Sequence, residues 1–172
     1  MNTSIVLIII ADDQPGIIET VSRVLKNHDG NWTQSSMSSL AGQFAGILLA
    51  SLPSAKTDAC LEDLLALESK GLQIIVRTGA DKSRLDNAQE FSMQLVGNDR
   101  PGIVHDITAV LTSHMVSVID LETTVEGAAM GGGELFKARV QLLLPESSDI
   151  FALESELEEL ANDLMVDIRL EK

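Results

Sequence analysis

Asp12 and Asp13 stand just before Pro15-Gly16, and Asn98 and Asp99 stand just before Pro101-Gly102. Each pair lies between an apolar run and an apolar stripe, where a strand would hand over to a helix. The first backbone N–H groups of a helix lack internal partners and attract anions. A carboxylate could rest on such a turn while an ammonium group meets Asp99 or the carbonyl oxygen of Asn98. That pair of poles suits a zwitterion, which describes a free amino acid. Gly16 and Gly102 carry no side chain to block the approach, and Ile17 and Ile103 follow them as the first apolar residues of the stripe. The plainer reading of either turn is capping, because Asp near a helix start and Pro-Gly make an ordinary junction. Recurrence of the whole context weighs against capping alone.

Other reactive side chains point to structural roles. His28 and His114 fall at the end of their stripes, where an imidazolium would complement the helix dipole. His105 follows the second turn and is expected on a solvated helix face. Cys60 lies beside Leu61 and Leu64 and reads as a small buried hydrophobe. Three scattered His and one Cys have no metal-ligand spacing, so no metal is expected. No nucleophile set or phosphate-cradling Gly loop follows a strand, so neither a catalytic residue nor a cofactor is assigned. The glycines in EGAAMGGGELF (residues 126–136) read as a hairpin tip, and ESELEELANDL (154–164) as an acidic, solvated helix face.

The elements that must position these residues are written twice. With Pro15-Gly16 set on Pro101-Gly102, Ile17, Ile18, Val21, Val24 and Leu25 match Ile103, Val104, Ile107, Val110 and Leu111, and His28 matches His114. GILLASLP (46–53) pairs with ARVQLLLP (138–145), and LQIIVR (72–77) with LMVDIR (164–169). Within the first copy, SIVLIII is a β-branched strand. PGIIETVSRVLKNHDG carries the stripe of an amphipathic helix, with Pro15 placed in its first turn and Asp29-Gly30 as its stop. NWTQSSMSSLAGQFAGILLASLP reads as two strands about a turn near residues 40–42. TDACLEDLLALESKG reads as a second helix, N-capped by Thr57 or Asp58 and C-capped by Gly71. The order β-α-β-β-α-β, twice, predicts an α+β protein of two ferredoxin-like units, each an antiparallel four-stranded sheet with both helices on one face. The expected domains are residues 1–78 and 91–172, joined by a polar linker at 79–90.

Composition excludes several functions. Twelve Lys and Arg against 26 Asp and Glu leave a net charge of -14, which repels phosphate backbones and argues against direct nucleic-acid binding. Aromatics make up 3% and Tyr is absent, so base-stacking surfaces are not expected. No run approaches the roughly 18 apolar residues of a membrane span. The apolar N-terminal run has no basic flank or cleavage site, so a cytoplasmic protein is expected.

GNDRPGIVHDIT (97–108) resembles the strand-to-helix motif of ACT domains in full, and ADDQPGIIETVS (11–22) is a degenerate copy with Asp12 in place of the asparagine and Gln14 in place of the arginine. The tandem layout, and NWTQSSMSSLAGQFAGILL (31–49), are similar to the glycine cleavage system transcriptional repressor family. The resemblance implies amino-acid-responsive regulation, with a small amino acid, glycine first, bound near Asn98, Asp99, Gly102 and Ile103. Asp12, Asp13, Gly16 and Ile17 are the matching positions of the first turn. A carboxylate at position 12 cannot donate as an Asn amide does, so that turn is a structural copy or takes another ligand. The resemblance also implies action through a partner regulatory protein, and pairing of ACT units within the chain or across a homodimer. The alternative is a ligand-free interaction module that controls an enzyme or transcription factor.

Overall fold

The computed structural model describes residues 1–78, 88–128 and 133–172. The chain divides into two compact units, residues 1–82 and 83–172. Most of the expected linker, and the centre of the Gly-rich segment, lie outside the described residues.

In the first unit, β1 (Asn2–Asp12) leads to α1 (Ile17–Asn27), then to β2 (Asn31–Leu40) and β3 (Gln43–Pro53), α2 (Thr57–Leu65) and β4 (Gln73–Thr78). The sheet order is β2-β3-β1-β4, with every neighbouring pair antiparallel. The second unit repeats this with β5 (Gln89–Asn98), α3 (Ile103–Ser113), β6 (Ser117–Gly127), β7 (Glu134–Leu144), α4 (Ile150–Leu164) and β8 (Val166–Glu171), ordered β6-β7-β5-β8. These are two βαββαβ units, as expected.

Alternation sets the layers. Along β1, Ile5, Leu7, Ile9 and Ala11 are buried, and they share one core with Val21 and Leu25 of α1 and Cys60 and Leu64 of α2. Both helices therefore cover the same sheet face. In the second unit Phe91, Met93 and Leu95 meet Ile107 and Leu111 of α3 and Leu153 and Leu157 of α4 in the same way. Each fully buried Leu or Ile contributes roughly 1.5–3 kcal/mol of transfer free energy. The period-2 and period-3.6 patterns thus read the layers correctly.

The structure corrects some junctions. Pro15 lies outside α1, which begins at Ile17 after Gly16 at φ 96°. Neither Thr57 nor Asp58 caps α2. A 3-10 turn at Ser54–Lys56 runs straight into that helix, Lys56 takes the cap position without its side chain capping the helix, and Thr57 is buried with its hydroxyl donating 3.3 Å to the Pro53 carbonyl. The helix expected to run on to Gly71 ends at Leu65, and a 3-10 helix over Ala66–Lys70 follows it; Gly71 ends that segment in the left-handed region, at φ 82°. The stop of α1 is sharper than a bare Asp-Gly signal. Asp29 itself takes φ 55°, and the Gly30 N–H donates 2.7 Å to the Leu25 carbonyl. Met115 holds the same conformation after α3, with the Val116 N–H donating 2.9 Å to Leu111.

Candidate functional site

The two strand-to-helix turns have the same backbone. Gly16 and Gly102 occupy the N-cap positions of α1 and α3 at φ 96° and 93°, and neither helix has a side-chain cap. A Cβ at either glycine would meet nothing within 4 Å. Glycine is needed there for its positive φ, and not because a neighbour crowds either position. The Asp13 N–H donates 2.9 Å to the Gly42 carbonyl, and the Asp99 N–H donates 2.8 Å to the Glu134 carbonyl. Each turn is therefore tied to the hairpin that follows it. The acidic residues do not cap their helices, so the simple capping explanation fails on geometry.

The side chains of the two turns differ. In the first, Asp12 Oδ1 accepts from Gln43 Nε2 at 2.8 Å and Asp13 Oδ2 accepts from Ser39 Oγ at 2.5 Å. Both acids are engaged by the hairpin. In the second, Asn98 and Asp99 are exposed, and no hydrogen bond or ion pair among the described residues holds either side chain. Ile17 and Ile103 are buried and anchor their helices to the cores. They form the floor beneath each turn and cannot present a side chain to solvent.

Arg100 was not singled out by spacing. Its Nη2 donates 2.6 Å to Asp106 Oδ2, while its Nε is buried without a partner. The guanidinium clamps the turn onto α3 through this ion pair. Arg100 precedes the helix, so its link to Asp106 has no helical spacing that would reveal it. Ser39 and Gln43 were missed for a similar reason, because they reach the first turn only through strand pairing.

Gly97 has a steric role. A Cβ there would collide with the Val166 side chain and stand 3.1 Å from Val166 Cα. The glycine lets β8 lie close against the end of β5, directly before the turn. His105 is exposed, as expected for a solvated face. His28 and His114 do stand at helix ends, but each also reaches a carboxylate on the other helix of its unit, at 2.7 Å. Among the described residues no group of three His, Cys, Asp or Glu side chains is placed to hold a metal ion, and no helix is long and apolar enough to cross a membrane.

With this geometry established, comparison places the chain among known proteins. The ACT domain family model matches residues 3–78 and 91–171. A solved structure described as an unknown protein from Galdieria sulphuraria is 30% identical, covers 99% of this chain and 98% of its own, and superposes with a TM-score of 0.85. Another, named "putative glycine cleavage system transcriptional repressor", is 15% identical, with coverage of 99% and 97% and a TM-score of 0.69. At that identity the second likeness is one of fold. No curated protein matches the chain.

Proposed function

The chain belongs to the ACT domain family, as a tandem regulatory module, and from that premise we propose that it senses a small amino acid at the Asn98–Gly102 turn. Glycine is the first candidate. The observation that carries this reading is the contrast between the turns: the acids of the first are held by Ser39 and Gln43, whereas Asn98 and Asp99 remain free beside an uncapped helix. The ligand carboxylate would take the N–H groups at the start of α3, where the helix dipole favours negative charge. Its ammonium would take Asp99 and the Asn98 carbonyl oxygen. In this reading Gly102 and Ile103 shape and anchor the turn, and Asp12, Asp13, Gly16 and Ile17 form a structural copy.

The proposed output is transcriptional control of the glycine cleavage type, exerted through a partner protein, in the cytoplasm and without catalysis. The net charge of -14 supports a protein partner over direct DNA contact. The name carried by the 15% identical structure agrees with this role. The closed first turn favours a second reading, in which this unit serves only to bind a partner enzyme or transcription factor.

A thermal-shift screen of the twenty amino acids, on the wild type and Asp99→Ala, tests the site. A ligand that binds only the native state at about 100 times its Kd adds about 2.7 kcal/mol. The expected result is a rise in Tm with a small amino acid that Asp99→Ala loses and Asp12→Ala keeps. A wild type that responds to none of the twenty overturns the sensing role.

A further inference from the structure

In the second unit α4 and the edge strand β8 enclose a groove of about 260 Å³, lined by Glu154, Leu157, Glu158, Ala161, Ile168 and Leu170. Two periods build it. Glu154, Glu158 and Ala161 recur at helical spacing and stand on one side of α4. Ile168 and Leu170 alternate along β8 on the helix side of the sheet, half-buried against the core. Arg169 between them faces the opposite side, beside Gln94 and Asp167. The floor of the groove is therefore apolar and its rim is two carboxylates. Glu154 is half-buried and Glu158 exposed, and no hydrogen bond or ion pair among the described residues holds either side chain. β8 ends its sheet, so its outer edge presents backbone N–H and C=O groups that no strand among the described residues takes.

The first unit supplies an internal control. Thr78 stands there in the place of Leu170, and α2 gives way to the 3-10 helix over Ala66–Lys70 before the chain reaches β4. Its helix layer is mixed in charge, with Arg23 and Lys26 on α1 and Lys56 and Lys70 on either side of α2. In the second unit neither α3 nor α4 contains a Lys or Arg, and none occurs from residue 140 to residue 168. α4 carries Glu154, Glu156, Glu158, Glu159 and Asp163. The fold itself requires neither the acidic helix nor the apolar floor beside it.

We infer that this groove docks an extended, lysine- or arginine-bearing segment of the partner protein, added as a further strand to the edge of β8. The inference rests on the proposed output through a partner and gives that partner its chemistry. Charge selects the occupant. A neutral cover would strip water from Glu154 and offer no counter-charge. An acidic cover, another copy of this chain at -14 included, would be repelled. A cationic segment meets Glu154 and Glu158 with its charges and the floor of Leu157, Ile168 and Leu170 with its apolar side chains. The free edge selects the shape, because an added strand supplies partners to the backbone groups along β8. At about 3.3 Å per residue that edge is matched by about six residues. Every second side chain of the added strand faces α4, so bases and apolar residues are expected at alternate positions.

Fluorescence anisotropy of the labelled peptide Thr-Lys-Thr-Val-Thr-Lys-Thr, titrated with the full chain at low salt, tests this. Saturable binding is expected, and none when Glu replaces both lysines of the peptide. Glu154→Gln with Glu158→Gln should raise the Kd at least roughly tenfold, with circular dichroism reporting the fold. Asp120→Asn with Glu122→Gln removes the same charge from β6 and should leave the Kd unchanged. Two N-methylated peptides separate strand addition from attraction by charge alone. Methylation of the Lys and Val nitrogens blocks one edge of the peptide, and methylation of the Thr nitrogens blocks the other. One of the two should lose binding and the other keep it. A peptide that does not bind overturns the inference. So do equal effects of the two charge-removing pairs, or of the two methylation patterns. An amino acid that raises the Tm while the peptide fails to bind leaves the sensing turn standing and removes only this surface.

Discussion

His114 Nε2 lies 2.7 Å from Glu156 Oε2, joining the end of α3 to the middle of α4. In the first unit His28 Nε2 lies 2.7 Å from Asp63 Oδ2, joining α1 to α2. An ionised carboxylate only accepts, so Nε2 carries the proton in both bonds. The imidazoles are largely buried, at 17% and 16% side-chain exposure. Each latches together the two helices that cover one sheet.

His114→Ala should therefore destabilise the second unit by about 1 kcal/mol, the usual net worth of such a bond. Urea denaturation measures the loss. In a double-mutant cycle with Glu156→Gln the coupling should be about 0.5–1.5 kcal/mol. Strictly additive effects would show that the bond contributes nothing.

The glycines around the second turn should respond to different substitutions. Gly102 has open space and φ 93°, so Gly102→Ala costs roughly 1–2 kcal/mol through backbone strain, and Gly102→Asn costs less. Gly97 meets Val166, so Gly97→Ala costs roughly 1–3 kcal/mol by overpacking, and Val166→Ala should recover part of it. Recovery of Gly102→Ala by Val166→Ala would contradict this division.

Cys60 should resist thiol reagents. It is fully buried, and burial with the nearby charge of Asp63 pushes its thiol up to about 11 from an ordinary 9.0. A thiol raised on folding is neutral in both states below pH 9, and stability falls as pH rises from there towards 11. At pH 8 a disulfide reagent should modify the cysteine only after denaturant is added. Fast labelling of the native protein would refute the buried placement.

Asp29 pairs with Lys56, whose hydrogen bond and charge hold the carboxyl below its ordinary 3.8. Its contribution to stability is present above 3.8 and disappears as pH falls through the lower folded-state value. NMR titration should find the Asp29 midpoint below 3.8 in the wild type and raised in Lys56→Gln. Both groups are largely solvated, so the effect on stability is small.

Much of the architecture was legible in the chain itself. Ile5, Leu7 and Ile9 announce a strand by alternation, and Ile17, Val21 and Leu25 announce a helix face, because burial imposes those periods whatever the partner. The recurrence from Pro15-Gly16 to Pro101-Gly102 revealed two matched units on the same grounds. Junctions were less legible. Thr57 looks like a cap, yet a 3-10 turn absorbs it, and Pro15 looks like a first helical residue, yet the left-handed Gly16 starts the helix one step later.

What the sequence determined by itself is the doubled βαββαβ order, the two Pro-Gly turns and the acidic surface, all set by local patterning and composition. Only the tertiary structure decided which turn is open. Ser39 and Gln43 close on Asp13 and Asp12 because the β2–β3 hairpin brings them there, across 26 and 31 residues of chain. The row of Ile47, Ile8 and Ile75 across β3, β1 and β4 exists only in the register of those three strands. Local periodicity fixes which way a side chain points. Its neighbours depend on pairing between distant segments, and no single stretch of sequence contains that information.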